Sequence, residues 1–118
     1  MKHIESQIQT ACVKWFNLQP KYKKFSKLLF SVPNAAKRGY ANANYMVGEG
    51  MVSGVADLIL LVRNQTFSSL CVEMKAPNGT QSDKQKEWQI IAEQHGNKYM
   101  VCYSLDDFMW VIQEYLKT

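Results

Sequence analysis

Two apolar runs that carry charge constrain this chain most. They are Asp57-Leu58-Ile59-Leu60-Leu61-Val62-Arg63 and Leu70-Cys71-Val72-Glu73-Met74-Lys75. Both are apolar at odd and even positions through their middles, the pattern of strands covered on both faces. The segment Asn64-Gln65-Thr66-Phe67-Ser68 between them is rich in turn formers, so the runs are predicted to pair as an antiparallel hairpin. A turn centred on Gln65 sets Leu58 opposite Val72, Ile59 opposite Cys71, Leu60 opposite Leu70 and Asp57 opposite Glu73. Directly opposed residues share one face. Lys75, two residues beyond Glu73, shares it as well. A slip of one residue would split the charged set across two faces; the apolar pairs favour the stated register.

Carboxylates among apolar strand residues are costly unless they are paired or hold a cation. Two of them close together on one face repel, and one would tend to keep a proton. A hard divalent ion relieves this, and oxygen ligands with open water positions suit Mg²⁺ or Mn²⁺. Asp57 and Glu73 are the candidate ligands, the Met74 backbone carbonyl is a further one, and Glu5 is an outer carboxylate that would act through water. Such an ion supports metal-assisted phosphodiester hydrolysis. Lys75 would then stand as a point charge beside the attacking water or the phosphate. Taken singly, an Asp at a strand start reads as a turn residue, and Glu-x-Lys reads as an exposed pair worth little. Opposed across an apolar hairpin, they argue for a site.

The rest of the chain supplies the frame. Ile4, Ile8, Ala11, Cys12 and Trp15 recur at helical spacing and predict a helix over 3–16. The lysine-rich stretch 21–27 reads as a solvated loop or short turn, and 28–32 as a strand closed by Pro33-Asn34. Residues 35–54 have no periodicity and read as a long loop. Lys37, Arg38 and Tyr40 on it are candidate contacts to a phosphate backbone. Pro77-Asn78-Gly79-Thr80 is a turn. Ser82 and Gln85 form a capping-box pattern that starts a helix, with Trp88, Ile91, Ala92 and His95 on its inner face. Gln85 is explained equally by the cap or by the acidic face, and Glu5 equally by the helix dipole or by the site. Residues 99–103 read as a strand, and Ser104 caps a last helix whose Phe108, Val111, Ile112, Tyr115 and Leu116 face inward. A terminal strand, helix and strand predict a crossover connection. The three tryptophans read as core residues.

With 118 residues the chain supports one domain, 1–118. A formal charge of +4 fits an anionic partner such as nucleic acid. Three scattered cysteines argue for reduced thiols, and no zinc-type Cys/His cluster is present. The N-terminus lacks an apolar leader and no run is long and apolar enough to span a membrane, which together predict an intracellular protein. Gly48-Glu49-Gly50 lacks the flanking strand and helix of a dinucleotide loop. Two histidines, one of them at the N-terminus, give no credible Ser-His-Asp arrangement.

Gly54-Val55-Ala56-Asp57-Leu58, Cys71-Val72-Glu73-Met74-Lys75 and Gly79-Thr80-Gln81-Ser82-Asp83-Lys84-Gln85 together resemble the VRR-NUC family of the PD-(D/E)xK nuclease superfamily. The resemblance runs over most of the chain and includes Glu5, Pro33-Asn34 and Gly96 through Ser104. It implies an α/β, restriction-endonuclease-like core, with a mixed central β-sheet flanked by α-helices and a Mg²⁺- or Mn²⁺-dependent site. Asp57 and Glu73 match the metal carboxylates, Lys75 the catalytic lysine, Gln85 the motif glutamine and Glu5 the first-helix acid. Lys84, inside the last motif, is a further candidate DNA contact. Short stand-alone members of the family, found in phages and bacteria, resemble Holliday junction resolvases and act as homodimers on branched DNA. The expected activity is therefore structure-specific endonuclease cleavage in the cytoplasm of a bacterial cell or phage-infected host. A restriction- or packaging-type nuclease on ordinary duplex DNA and a non-catalytic DNA-binding module are the alternatives. Ala56 stands where the superfamily has proline, which shapes the turn and does no chemistry.

Overall fold

The computed structural model describes residues 4–33 and 43–117. Lys37, Arg38 and Tyr40 lie outside the described residues. The chain begins with helix α1 (Ile4–Leu18), which buries Cys12 and Phe16 on one stripe. Pro20, with no backbone N–H to continue the helix, follows its end. The lysine-rich stretch, expected to be a solvated loop or short turn, forms a 3₁₀ helix, Pro20–Phe25, because Tyr22 buries its ring. That ring stacks on Phe16 at 5.2 Å between centroids. Strand β1 (Leu29–Ser31) follows, shorter than the predicted 28–32. Within the expected loop of 35–54, Ala43–Gly48 forms a short helix, α2.

Strands β2 (Leu58–Leu60), β3 (Leu70–Met74) and β4 (Lys98–Cys102) complete one sheet in the order β1-β2-β3-β4. The first two pairings are antiparallel and the third is parallel. Between β2 and β3 the register is Leu58 with Val72, Ile59 with Cys71 and Leu60 with Leu70, the one the apolar pairs predict. Asn64 closes the connection, its side-chain oxygen accepting the Thr66 and Phe67 N–H groups. Helix α3 (Asp83–Gln94) carries the chain from β3 to its parallel neighbour β4, and α4 (Leu105–Tyr115) ends it.

Alternation along β3 divides the sheet into two faces. Leu70, Val72 and Met74 pack with Cys12, Phe16, Phe108 and Ile112 in the larger core, between the sheet and α1 and α4. Cys71 packs with Ala56 and Tyr99 on the other face, where Trp88 of α3 covers them. The result is an α/β layer structure with a mixed sheet flanked by helices, as expected from the sequence. Three inward expectations are corrected. Ile91 and His95 are exposed, because α3 covers a narrow patch through Trp88 and Ala92. Trp110 is 59% exposed, since the buried stripe Phe108, Val111, Ile112 and Tyr115 leaves it to one side. Among the described residues no helix is long and apolar enough to cross a membrane.

Candidate active site

The three charged residues of the hairpin are all buried: Glu73 at 0%, Asp57 at 6% and Lys75 at 8% exposure. Asp57 sits just before β2, where its backbone carbonyl accepts the Val32 N–H at 2.8 Å and lengthens the β1–β2 ladder. Its side-chain Oδ2 accepts the Met74 N–H at 2.8 Å. The acid is thereby fixed to the strand that carries its partners, and a backbone donor that burial would otherwise leave unsatisfied is used. Glu73 lies inside β3, with its Oε2 3.7 Å from the Lys75 ammonium. The same oxygen accepts a hydrogen bond of 2.9 Å from Gln85 Nε2. Two acids and one lysine are thus held together in a dry environment, where charged groups are costly unless paired or hydrogen-bonded.

Gln85 resolves the two readings open to it by satisfying both. Ser82 caps α3 by accepting the Gln85 N–H, while Gln85 Oε1 accepts the Ser82 N–H at 2.8 Å. The other end of the same amide holds Glu73. We expect Ser82→Ala to cost about 1 kcal/mol, the ordinary worth of a cap. Gln85→Ala should cost more, about 2 kcal/mol, since it also removes a hydrogen bond to a buried carboxylate. Urea denaturation of the two variants separates the contributions; equal losses would mean that the bond to Glu73 adds nothing.

Glu5, half-buried at the start of α1, accepts the Ala76 N–H at 3.3 Å. This docks the first helix against the backbone just past Lys75. Lys84 is exposed on the first turn of α3. Gly54 explains the Gly-x-x-Asp spacing. Its φ is +87°, and a Cβ there would lie 2.5 Å from the Lys84 carbonyl oxygen. The loop that delivers Asp57 thus rests directly on the helix turn that delivers Gln85. Tyr99 is a neighbour that sequence reasoning missed. It is buried on the face of Cys71, its register partner in the parallel β3–β4 pair. Its oxygen accepts a hydrogen bond of 3.3 Å from Gln81 Nε2. Burial first, then the Glu73 carboxylate, pushes its phenol above the usual range, with Asp57 adding to the effect and Gln81 opposing it. A tyrosine inside an apolar strand needs a partner for its hydroxyl, and that was the available signal.

Among the described residues no group of three or more His, Cys, Asp or Glu side chains is placed to hold a metal ion. The donors that are present are the carboxylate of Asp57, bonded to the Met74 N–H, and that of Glu73, with the Met74 carbonyl on the strand between Glu73 and Lys75. That set fits a hard ion which keeps several waters, as Mg²⁺ does, better than a closed cage of protein ligands. A cavity of about 230 Å³ lined by Phe67, Leu70, Met100 and Trp110 lies where β3 and β4 begin, away from the acids.

Comparison with known proteins agrees with this fold. A family model described as the VRR-NUC domain matches residues 3–106. A solved structure named a VRR_NUC domain protein is similar with a TM-score of 0.81 at 24% identity, covering 96% of this chain and 88% of that one. At that identity it shows the fold. No curated protein matches the chain.

Proposed function

This chain belongs to the VRR-NUC family of nuclease domains, and on that premise we propose that it is a Mg²⁺- or Mn²⁺-dependent endonuclease acting on branched DNA, four-way junctions foremost. The observation that carries the reading is the burial of Asp57, Glu73 and Lys75 beside one another, with Gln85 holding Glu73. Burying such a set has a cost in stability that a purely structural role would not require.

In this reading Asp57 and Glu73 would hold the ion, with the Met74 carbonyl as a further donor and Glu5 acting through water. A bound divalent ion polarises a phosphate oxygen and acidifies a coordinated water. Lys75 stands beside Glu73, where negative charge would build as the phosphodiester is attacked. Gln85 fixes the Glu73 side chain in one orientation. Asp57 is held by the Met74 N–H, so little reorganisation is needed when the substrate arrives. Lys37, Arg38, Tyr40 and Lys84 are the proposed contacts to the DNA backbone near the cut. A homodimer belongs to the same reading, because two symmetric nicks across a junction call for two sites related by a two-fold axis.

The test is incubation with four-way junction, flap and linear duplex DNA, with Mg²⁺, with Mn²⁺ and with chelator. Cleavage of the junction is expected with either ion. It should be lost in chelator and restored when the ion is returned. Absence of cleavage on every substrate would overturn the catalytic reading. Linear duplex cut as fast as the junction would overturn the structure-specific part and favour a duplex nuclease.

A further inference from the structure

We propose that the 3₁₀ helix and its flanks form a second nucleic-acid surface, a lysine shelf that grips a phosphate backbone away from the cleavage site. Residues 4–33 contain five lysines, Lys14, Lys21, Lys23, Lys24 and Lys27, and one acid, Glu5. All five lysines are exposed. The acid does not neutralise them: it stands at the other end of α1 from the 3₁₀ helix and accepts the Ala76 N–H. The inference rests on the nuclease reading for the identity of the polyanion, since a nuclease domain meets DNA phosphates.

The shelf is held in place by its own aromatic residues. Tyr22 is buried and stacks on Phe16, with Trp15 edge-on to it at 6.0 Å. Phe25 packs against the same core. With these rings fixed inward, the intervening lysines are driven outward. The Lys21 ammonium lies 5.3 Å from the Tyr22 ring centre, and the Lys24 ammonium lies 5.3 Å from that of Phe25. These cation–π contacts restrain both side chains and reduce the freedom lost on gripping a ligand. A 3₁₀ rise of about 2 Å per residue sets Lys21 and Lys24 on one side, about 6 Å apart along the axis.

The position of the shelf separates it from the proposed site. Leu28, just after it, accepts the Leu61 N–H at one end of the β1–β2 ladder. Asp57 accepts the Val32 N–H at the other end. The four steps from Leu28 to Val32 span about 14 Å at strand rise. One phosphate therefore cannot meet both places, and the shelf engages a different stretch of backbone from the one being cut.

The experiment measures equilibrium binding of four-way junction and of short duplex DNA between 0.05 and 0.5 M salt (about a decade, wide enough to resolve a slope). Two proteins are compared in metal-free buffer: the intact chain and a variant with Lys21, Lys23, Lys24 and Lys27 all changed to Gln. The expected result is a log–log salt slope shallower by about 3, and an affinity at 0.1 M salt lower by about tenfold or more. A second variant with the same four positions as Arg keeps the charge and should bind like the intact chain, and both variants should melt with it. Junction binding with an unchanged slope in the Gln variant overturns the shelf. A loss in the Arg variant equal to that in the Gln variant also overturns it, because charge would then not be the cause. An intact chain that binds DNA through the shelf but does not cut it once Mg²⁺ or Mn²⁺ is added overturns the catalytic reading and leaves the shelf standing; no DNA binding at all overturns both.

Discussion

Lys75→Ala is expected to lower the cleavage rate by about 10²–10³-fold, the range found when one preorganised electrostatic donor is removed from a dry site. The lysine is buried and its ammonium is 3.7 Å from Glu73 Oε2. The substitution also acts on the fold. Glu73 would keep the Gln85 amide but lose its cationic neighbour, and a buried carboxylate stripped of one partner costs about 1–3 kcal/mol. Rates must therefore be measured at saturating junction DNA and well below the melting temperature of the variant. The decisive number is the turnover of the folded fraction. If folded Lys75→Ala protein cuts as fast as the intact chain, Lys75 has no part in catalysis.

Gly54→Ala is the second large effect, and Gly50→Ala is its internal control. Both glycines have positive φ, +87° and +108°. A left-handed backbone costs a residue with a Cβ about 1–2 kcal/mol. Here the two positions part. Around Gly50 a Cβ would meet nothing within 4 Å, whereas at Gly54 it would lie 2.5 Å from the Lys84 carbonyl oxygen and 2.7 Å from the carbonyl carbon. The obstacle is helix backbone, which cannot swing aside as a side chain can. We expect Gly50→Ala to lose about 1 kcal/mol and Gly54→Ala about 3 kcal/mol or more, a fall in melting temperature of about 10 °C for the latter. Cleavage by Gly54→Ala should fall further than its unfolded fraction explains, because the overlap drives the Asp57 loop away from the turn that carries Gln85. Similar melting temperatures for the two variants would mean that the loop can slide without cost, and that the close packing carries no weight.

The hairpin was legible because three apolar pairs and the charged pair agree on one register, and only one register satisfies them all. The helix starts at Ser82 and Ser104 were legible because cap chemistry is local; both serines accept the predicted backbone N–H. The 3₁₀ helix was not, because four lysines in 21–27 outvoted one tyrosine and one phenylalanine whose burial depends on Phe16, in another element. Trp110 and Ile91 were assigned to the core on hydrophobicity alone, when the width of the covered face decides burial. In the site, Asp57, Glu73 and Lys75 followed from the cost of burying charge. The dual role of Gln85 did not, since sequence presents the cap and the acidic face as rivals, and one amide with a donor end and an acceptor end serves both. Tyr99 was hidden among apolar strand neighbours, and only the parallel pairing of β3 with β4 brings it beside Cys71.

The split amide of Gln85 also ties two events together in time. While α3 is frayed, Gln85 Oε1 has no Ser82 N–H in reach, its side chain is free to rotate, and Glu73 loses one of the groups that orient it. Helix nucleation is the slow, unfavourable step of forming such a segment, so the acid is oriented only after the first turn of α3 has closed. A molecule whose α3 has melted locally keeps β3, and with it both acids on the sheet, yet lacks the aligned carboxylate. On the proposed reading, partly opened copies of the protein would bind DNA without cutting it, and unwanted nicking by damaged or half-folded chains would be held down by the same hydrogen bond that starts the helix.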